Sequence, residues 1–596
     1  MKDVREKKPA SLSEDANGSG AATPKSPARR AFLGKIGAAA TVGAAALAAP
    51  AAVAGRPANS GEAHQQGESS NGHSNPRVRE ATELRIDLAN RDARVPAALN
   101  ISNGDEALYP DKAGTYTKGL AHDAFGRVDP ASYASFKKAL NSGRFEDFEE
   151  IIVGGTRTQN GPQGGLSFDL EALDSAQFGQ PIVPPAPKTA SDQNATELLE
   201  HYWGALLRDV AFTDYSTNAL AAEAAAELGS QYSYLGPRNG SGHVTTDLLF
   251  RGIFPGETLG PYISQLFVQP TFFGAQPQSQ QMVCYQPNID YGTDFASWLD
   301  IQNGVDTGLR NQVDPQVRYR RNGRDLATFT HMDVLYQAYF TAFLVLAGIN
   351  GTPPGSFTPG GAPLNPGNPY NNSSTENGFG TFGGPDFAGM FGEVAVKALN
   401  AVWYQKWFVH LRPRPEAHGG LVHLIKTGHA NKTDATFSPF ILNSNGLQQT
   451  FNKYGTWLLP LAFPEGSPTH PSYPTGHGTV GGACITLLKF IFDGNFVIPN
   501  PVVPTSDGLS LVPYTGPDAG ELTVNGELNK LGHNVSFGHG IHAGIHWRSD
   551  TDTSLLLGEA VALSFLQDRA QTYNEPFTIH IQKFDGTTAT ISNEAH

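Results

Sequence analysis

Cysteine is nearly absent: the 596-residue chain has two, Cys284 and Cys484, so a disulfide framework is excluded and at most one bridge is possible. Cys484 falls in an apolar stretch and reads as a small buried hydrophobe. Positive charge is also short, with 42 Lys and Arg against 56 Asp and Glu and a formal charge of −14. That excludes the clustered basic surface a nucleic-acid partner needs and points to a small molecule or a protein. Beyond the N-terminal region no stretch has the length and apolarity of a membrane span, and no internal repeat is evident.

What is present starts with Arg29-Arg30-Ala31-Phe32-Leu33, followed by an Ala-rich run to Ala54 that Pro50 interrupts. Paired arginines, a weak apolar core and small residues at Ala52-Val53-Ala54 resemble a twin-arginine export signal; a disordered Ala-rich tail is the plainer alternative. The export reading predicts a protein that folds before transport and works in the periplasm or outside the cell. Residues 1–54 are assigned to this signal segment and 55–78, rich in Ser, Gly and Asn, to a disordered linker. Residues 79–596 are assigned to one large helical domain with its catalytic half at about 328–570.

Apolar periodicity predicts helices over 194–212, 219–228, 328–349, 386–411, 480–492, 526–536 and 551–568. Asp386 is placed to cap its helix, and Arg412-Pro413-Arg414-Pro415 ends it, because a residue before proline is driven out of the helical region. Phe577, Ile579 and Ile581 alternate, Asp585-Gly586 turns, and Ala589 and Ile591 resume, which reads as a β-hairpin. Residues 351–384, crowded with Gly, Pro and Asn, read as a long excursion over the surface, of the kind used as a lid, a binding loop or a subunit contact. The expected fold class is mainly α, with the hairpin peripheral.

Chemistry concentrates in three segments. In Ser467-Pro468-Thr469-His470-Pro471-Ser472-Tyr473-Pro474-Thr475-Gly476-His477-Gly478, the prolines and glycines forbid regular structure and an apolar helix follows. The free N–H groups of that first turn, the Thr475 hydroxyl and the His477 imidazole make a cradle for a tetrahedral oxyanion. Lys406 and Arg414 lie on either side of a proline-induced break and can converge on one anion, although basic residues at a helix C-terminus ordinarily just complement the dipole. The third segment, 536–550, sets His539, His542 and His546 beside Gly-rich turns. His546 and Asp550 are four apart, so on a helical turn the carboxylate can orient the imidazole, as behind a metal-bound histidine.

Taken together the segments resemble those of the vanadium-dependent haloperoxidases, in the bromoperoxidase branch known from marine algae and bacteria, whose site is shared with a superfamily of acid phosphatases. The resemblance rests on Lys406 and Arg414 in their Trp-Tyr-Gln-Lys-Trp and Arg-Pro-Glu-Ala contexts, on His470-Pro-Ser-Tyr-Pro-Thr-Gly-His477, and on Ala-Gly-Ile-His546-Trp-Arg-Ser-Asp550. It implies two packed four-helix bundles and a vanadate cofactor with His546 as its axial ligand. Lys406, Arg414, Thr475 and the Gly476 N–H would neutralise the cofactor oxygens, Lys406 would also polarise peroxide, and His477 would be the acid–base group. The implied reactants are hydrogen peroxide, bromide or iodide, and an organic acceptor. His470 implies bromide and iodide rather than chloride, and Trp403 either lines the halide pocket or packs its helix. A homo-oligomer is implied as well, because family members assemble as dimers or larger rings.

Two departures stand out. Thr475 replaces the usual Ser, and the family's second site Arg, six residues before the ligand histidine, falls at Gly540. Alignment from the left instead places His539 there, with one residue inserted before Ala543; His539 would then face the anion with a charge that titrates near neutrality. Two other functions use the same residues: an acid phosphatase or phosphotransferase with His546 as nucleophile and His477 as acid, and a secreted binding protein whose site has decayed.

Overall fold

The computed structural model describes residues 75–349 and 361–594. The twin-arginine segment, nearly all of the linker and the first part of the 351–384 loop lie outside the described residues.

Helix Gly476–Ile491 follows the Pro-rich turn as expected but starts four residues before the predicted 480: Thr475 is extended, at φ −84° and ψ 145°, and its side chain accepts the Gly478 N–H, an N-cap that satisfies one of the orphan donors of the first turn. Helices Gln337–Ala347, Gly384–Tyr404, Val524–Phe537 and Arg548–Thr572 gather around it. Arg548–Thr572 is buried over nearly its whole circumference, the signature of a central helix. A second group surrounds Asp192–Leu207 and comprises Ala219–Ser230, Pro415–Lys426 and Asn445–Tyr454; Ser191, Asn218 and Ser444 cap three of the four. One continuous apolar core, from Leu198 and Trp203 to Leu531 and Leu555, joins the groups. The fold is mainly α as expected. Among the described residues strands form three antiparallel pairs, the last joining Thr578–Gln582 to Thr588–Ser592 with Ile579 opposite Ile591.

Helices Gly476–Ile491 and Arg548–Thr572 cross with their backbones nearly touching. A Cβ on Gly558 would lie 1.9 Å from the Thr479 carbonyl oxygen, and one on Gly482 would lie 2.1 Å from that of Leu555. The crossing sets the two helix N-termini side by side, and the Thr475 N–H donates to the Asp550 carbonyl at 3.3 Å. Gly558→Ala should therefore force the helices apart and lower stability by about 1–3 kcal/mol, read as a lower denaturant midpoint at unchanged slope.

The structure corrects four expectations. The helix read over 328–349 is two, Gly323–Met332 and Gln337–Ala347. The chain breaks at Asp333, which turns extended at ψ 160° so that its carboxylate reaches His477; apolar periodicity cannot register such a demand from another segment. Asp386 does not cap its helix: Gly383 holds that position, and Asp386 accepts from the Phe382 N–H and the Tyr573 hydroxyl. The described part of the Gly-rich loop is no free excursion. Asn365 donates to the carbonyls of Lys489 and His580, and Phe382 enters the core. Finally, helix Pro76–Asp92 precedes the expected start of order; Leu88 is its one buried residue, too little apolar pattern to be legible.

Candidate active site

The stretch predicted to end at Leu411 does so through a change of helical pitch. After Gly384–Tyr404 the chain winds as a π-turn over Gln405–His410 and stops at Leu411 in the left-handed region, φ 45°. The wider turn carries Lys406 inward, fully buried, with Nζ donating to the carbonyls of Pro471 at 2.7 Å and Ser472 at 2.9 Å. The Pro-rich turn is thus bolted to the lysine. A second π-turn, Gly538–His542, follows Val524–Phe537. A π-turn absorbs one extra residue in a helix, and this one falls where the sequence comparison needs an insertion. It turns His539 inward, with its ring 5.8 Å from that of His477, while the Gly540 carbonyl accepts the N–H groups of Gly544 and Ile545. His539, not Gly540, stands at the site.

The cations and histidines converge. Arg414 donates from Nε to the His470 carbonyl at 2.9 Å, from one terminal nitrogen to His546 Nε2 at 2.6 Å, and from the other to His470 Nδ1 at 3.0 Å. Behind His546, Asp550 Oδ2 lies 3.0 Å from Nδ1. Donation from Arg414 to Nε2 assigns the ring proton to Nδ1, facing Asp550; the Nε2 lone pair accepts the Arg414 N–H, so it can take another partner only when that guanidinium turns away. Asp550 is itself held by Ser472 Oγ at 2.5 Å, the Trp547 N–H at 3.1 Å and Arg412 at 2.5 Å. On the other flank His477 Nε2 meets Asp333 Oδ1 at 2.9 Å. Trp403, half-buried, packs its ring 4.7 Å from that of His470.

Electrostatics defines what the pocket accepts. Burial, then the charge of Arg414, holds Lys406 well below an ordinary lysine, and burial pushes Arg414 down to about 10. Burial and the neighbouring cations likewise depress His470, His539 and His546. His539 is thus held well below the near-neutral range that the sequence suggested, and among the described residues neither ring nitrogen has a hydrogen-bond partner. The carboxylates around the pocket are engaged elsewhere: Asp333 on His477, Asp550 on His546 and Arg412, and Glu416 on Lys118. Unneutralised buried cations, a histidine lone pair and a helix N-terminus form a donor set that fits an oxyanion and opposes a cation.

Thr475 is less ready than the motif implied. Ser554 Oγ donates to the Thr551 carbonyl, so across the 3.0 Å contact with Ser554 the Thr475 hydroxyl is the donor; its other role is accepting from Gly478. Binding an anion requires that hydroxyl to rotate. His542 is not in the pocket: it packs against Phe212 and Phe250 and meets the Tyr262 hydroxyl at 3.2 Å. Sequence reasoning missed Asp333, Arg412, Ser472 and Ser554. Their partners lie tens to hundreds of residues away, and only Ser472, inside the motif, offered a signal.

A cavity of about 120 Å³ opens onto the site between Arg157, Thr158, Gln159 and Asn160 on one side and Glu465 to Thr469 on the other. His331, Phe463 and His539 complete its lining.

The helical fold and this buried pocket define a protein built to hold a tetrahedral oxyanion between a histidine and a cationic cradle. No family model matches the chain. It is 32% identical over 608 residues to the vanadium-dependent bromoperoxidase of Corallina officinalis, covering 86% of this chain and 98% of that protein. Against the vanadium-dependent bromoperoxidase of Ascophyllum nodosum it is 34% identical over 537 residues, with 86% and 92% covered. The homohexameric structure of the second vanadate-dependent bromoperoxidase from Ascophyllum nodosum superposes with a TM-score of 0.79 at 28% identity, over 90% of this chain and 94% of that one. The chain belongs to the vanadium-dependent bromoperoxidases.

Proposed function

We propose that the chain binds orthovanadate in this pocket and oxidises bromide or iodide with hydrogen peroxide, releasing hypohalous acid that halogenates organic acceptors. The observation that carries the reading is His546, its Nδ1 held by Asp550 and its Nε2 facing the buried Arg414 guanidinium, which would exchange Nε2 for the oxygens of a bound anion. His546 would hold the vanadium, and Lys406, Arg414, His539, Thr475 and the Gly476 N–H would hold its oxygens. When bound, vanadate supplies Lewis-acid polarisation of the peroxide without changing oxidation state. The net reaction, Br⁻ + H₂O₂ + H⁺ → HOBr + H₂O, oxidises bromide by two electrons and consumes one proton. His477, fixed by Asp333, is the group placed to hand that proton on. His470 and Trp403 form the wall assigned to the halide. The test is bromination of a phenolic acceptor by the protein with and without orthovanadate, beside hydrolysis of p-nitrophenyl phosphate. Vanadate-dependent bromination supports the reading, and phosphate release without bromination overturns it in favour of a phosphatase.

Association of copies is part of the same proposal. Phe168 is 85% and Leu170 100% exposed, an apolar surface that ordinarily marks a contact. Phe168→Asp or Leu170→Asp should convert an oligomer to a smaller species in light scattering, with the bromination rate per chain retained. The twin-arginine reading makes the protein exported, and replacing Arg29 and Arg30 by Lys should leave it in the cytoplasmic fraction.

A further inference from the structure

The pocket is buried, yet each turnover needs a proton from outside, and Lys406 and Arg414 repel hydronium from the route in. At the mouth, His331 Nε2 meets Glu465 Oε1 at 2.6 Å and His331 Nδ1 meets the Tyr285 hydroxyl at 2.6 Å. The His331 ring stacks flat on Phe463, 3.9 Å between centroids and 10° between planes, and Phe463 in turn lies 5.5 Å from His539. The side chains of His331 and Glu465 are 10% and 17% exposed, so the pair touches both solvent and the cavity, which has room for several water molecules. Burial alone would raise the Glu465 carboxyl, but the hydrogen bond and charge of His331, with Arg157 beyond, hold it below its ordinary range. The ionisable and charged groups facing the pair are Tyr285, Arg157 from the opposite wall, Lys118, whose Nζ donates to the Glu465 carbonyl at 2.8 Å, Tyr291, His539 from the π-turn and Asp333 just beyond His331 on its own segment. None of these contacts is needed to bind an anion. A carboxylate–imidazole pair at the rim attracts a proton where two buried cations would reject it.

Resting on the bromide-oxidation reading, we propose that the His331–Glu465 pair takes up the proton consumed in each turnover and releases it to the cavity water in front of His539. The pair is a relay at the entrance and touches neither halide nor cofactor. The test compares vanadate-loaded parent protein with His331→Gln and Glu465→Gln at saturating bromide from about pH 5 to 8. The expected result is unchanged orthovanadate affinity by tryptophan fluorescence, unchanged KM for bromide, and kcat lower by about tenfold at the alkaline end. That loss should vanish at the acid end and be reversed by raising the imidazole buffer concentration. Superimposable profiles, or a loss that is the same at every pH and indifferent to buffer, would overturn the relay. If the Gln variants lose vanadate binding, Glu465→Asp, which keeps the charge but shortens the reach to His331, takes their place with the same two outcomes. A parent without vanadate-dependent bromination overturns the activity itself, a result distinct from an active parent whose variants behave alike.

Discussion

His546→Ala is expected to abolish vanadate-dependent bromination and to weaken orthovanadate binding by at least about 100-fold, with far-UV circular dichroism unchanged. The geometry singles out this histidine. Its Nδ1 faces Asp550 and its Nε2 faces the cations, whereas His477 turns Nε2 to Asp333, His470 offers Nδ1 to Arg414, and His539 has no carboxylate behind it to orient the ring. Truncation removes the one ring, among the described histidines of the pocket, that has a carboxylate on Nδ1 and a guanidinium on Nε2; burial, followed by Arg414 and Lys406, depresses it well below an ordinary histidine. The fold should survive, because Asp550 keeps Arg412, Ser472 and the Trp547 N–H. Binding titrations beside the bromination assay check this. Retained affinity would move the ligand to another ring, with His470, 6.4 Å away between centroids, the first to test.

Much of this site was legible because its signals are local. The Pro-rich turn that opens into a helix and the four-residue spacing of His546 and Asp550 each state their geometry within a few residues, and the structure reproduces both; the Thr475 hydroxyl, read as part of the cradle, is instead the cap of that helix. The illegible parts are those set by distant demands. Asp333 lies 144 residues from His477 inside an apolar stretch that reads as continuous helix, so nothing nearby announces the break. The two π-turns are changes of pitch by one residue, which apolar periodicity averages away; the His539 turn showed itself only as an apparent insertion, and the Lys406 turn not at all. Burial was the other blind spot. His539 looked like a neutral-pH switch on residue type, and it is its enclosure among cations that suppresses the charge. The entrance pair, His331 and Glu465, combined a helix end with a turn 134 residues away and left no mark in either.

Asp550→Asn should damage stability and binding together. The carboxylate accepts on Oδ2 from His546, Ser472 and the Trp547 N–H, and on Oδ1 from Arg412. An amide of the same shape has one oxygen, so its NH₂ must face either Arg412 or the group of three, setting donor against donor in a dry site. If the amide oxygen stays with His546, Arg412 loses its closest carboxylate and keeps Ser549 at 2.8 Å with Asn194 and Glu197 at 3.4 Å, a poorly compensated buried charge and a loss of about 3 kcal/mol. If it turns to Arg412, the His546 ring loses its orienting partner and vanadate affinity falls by about 10–100-fold. A second substitution separates the effects. In an Asp550→Asn, Arg412→Met double variant the stranded charge is gone, and Glu197, which burial already pushes above the ordinary carboxyl range against the pull of Arg412, can take up a proton. Thermal stability should then recover in part, while orthovanadate affinity stays low because nothing restores the carboxylate behind His546. Recovery of both would show that Asp550 acts only through Arg412, and recovery of neither would place its main role in the turn formed by Ser472 and Trp547.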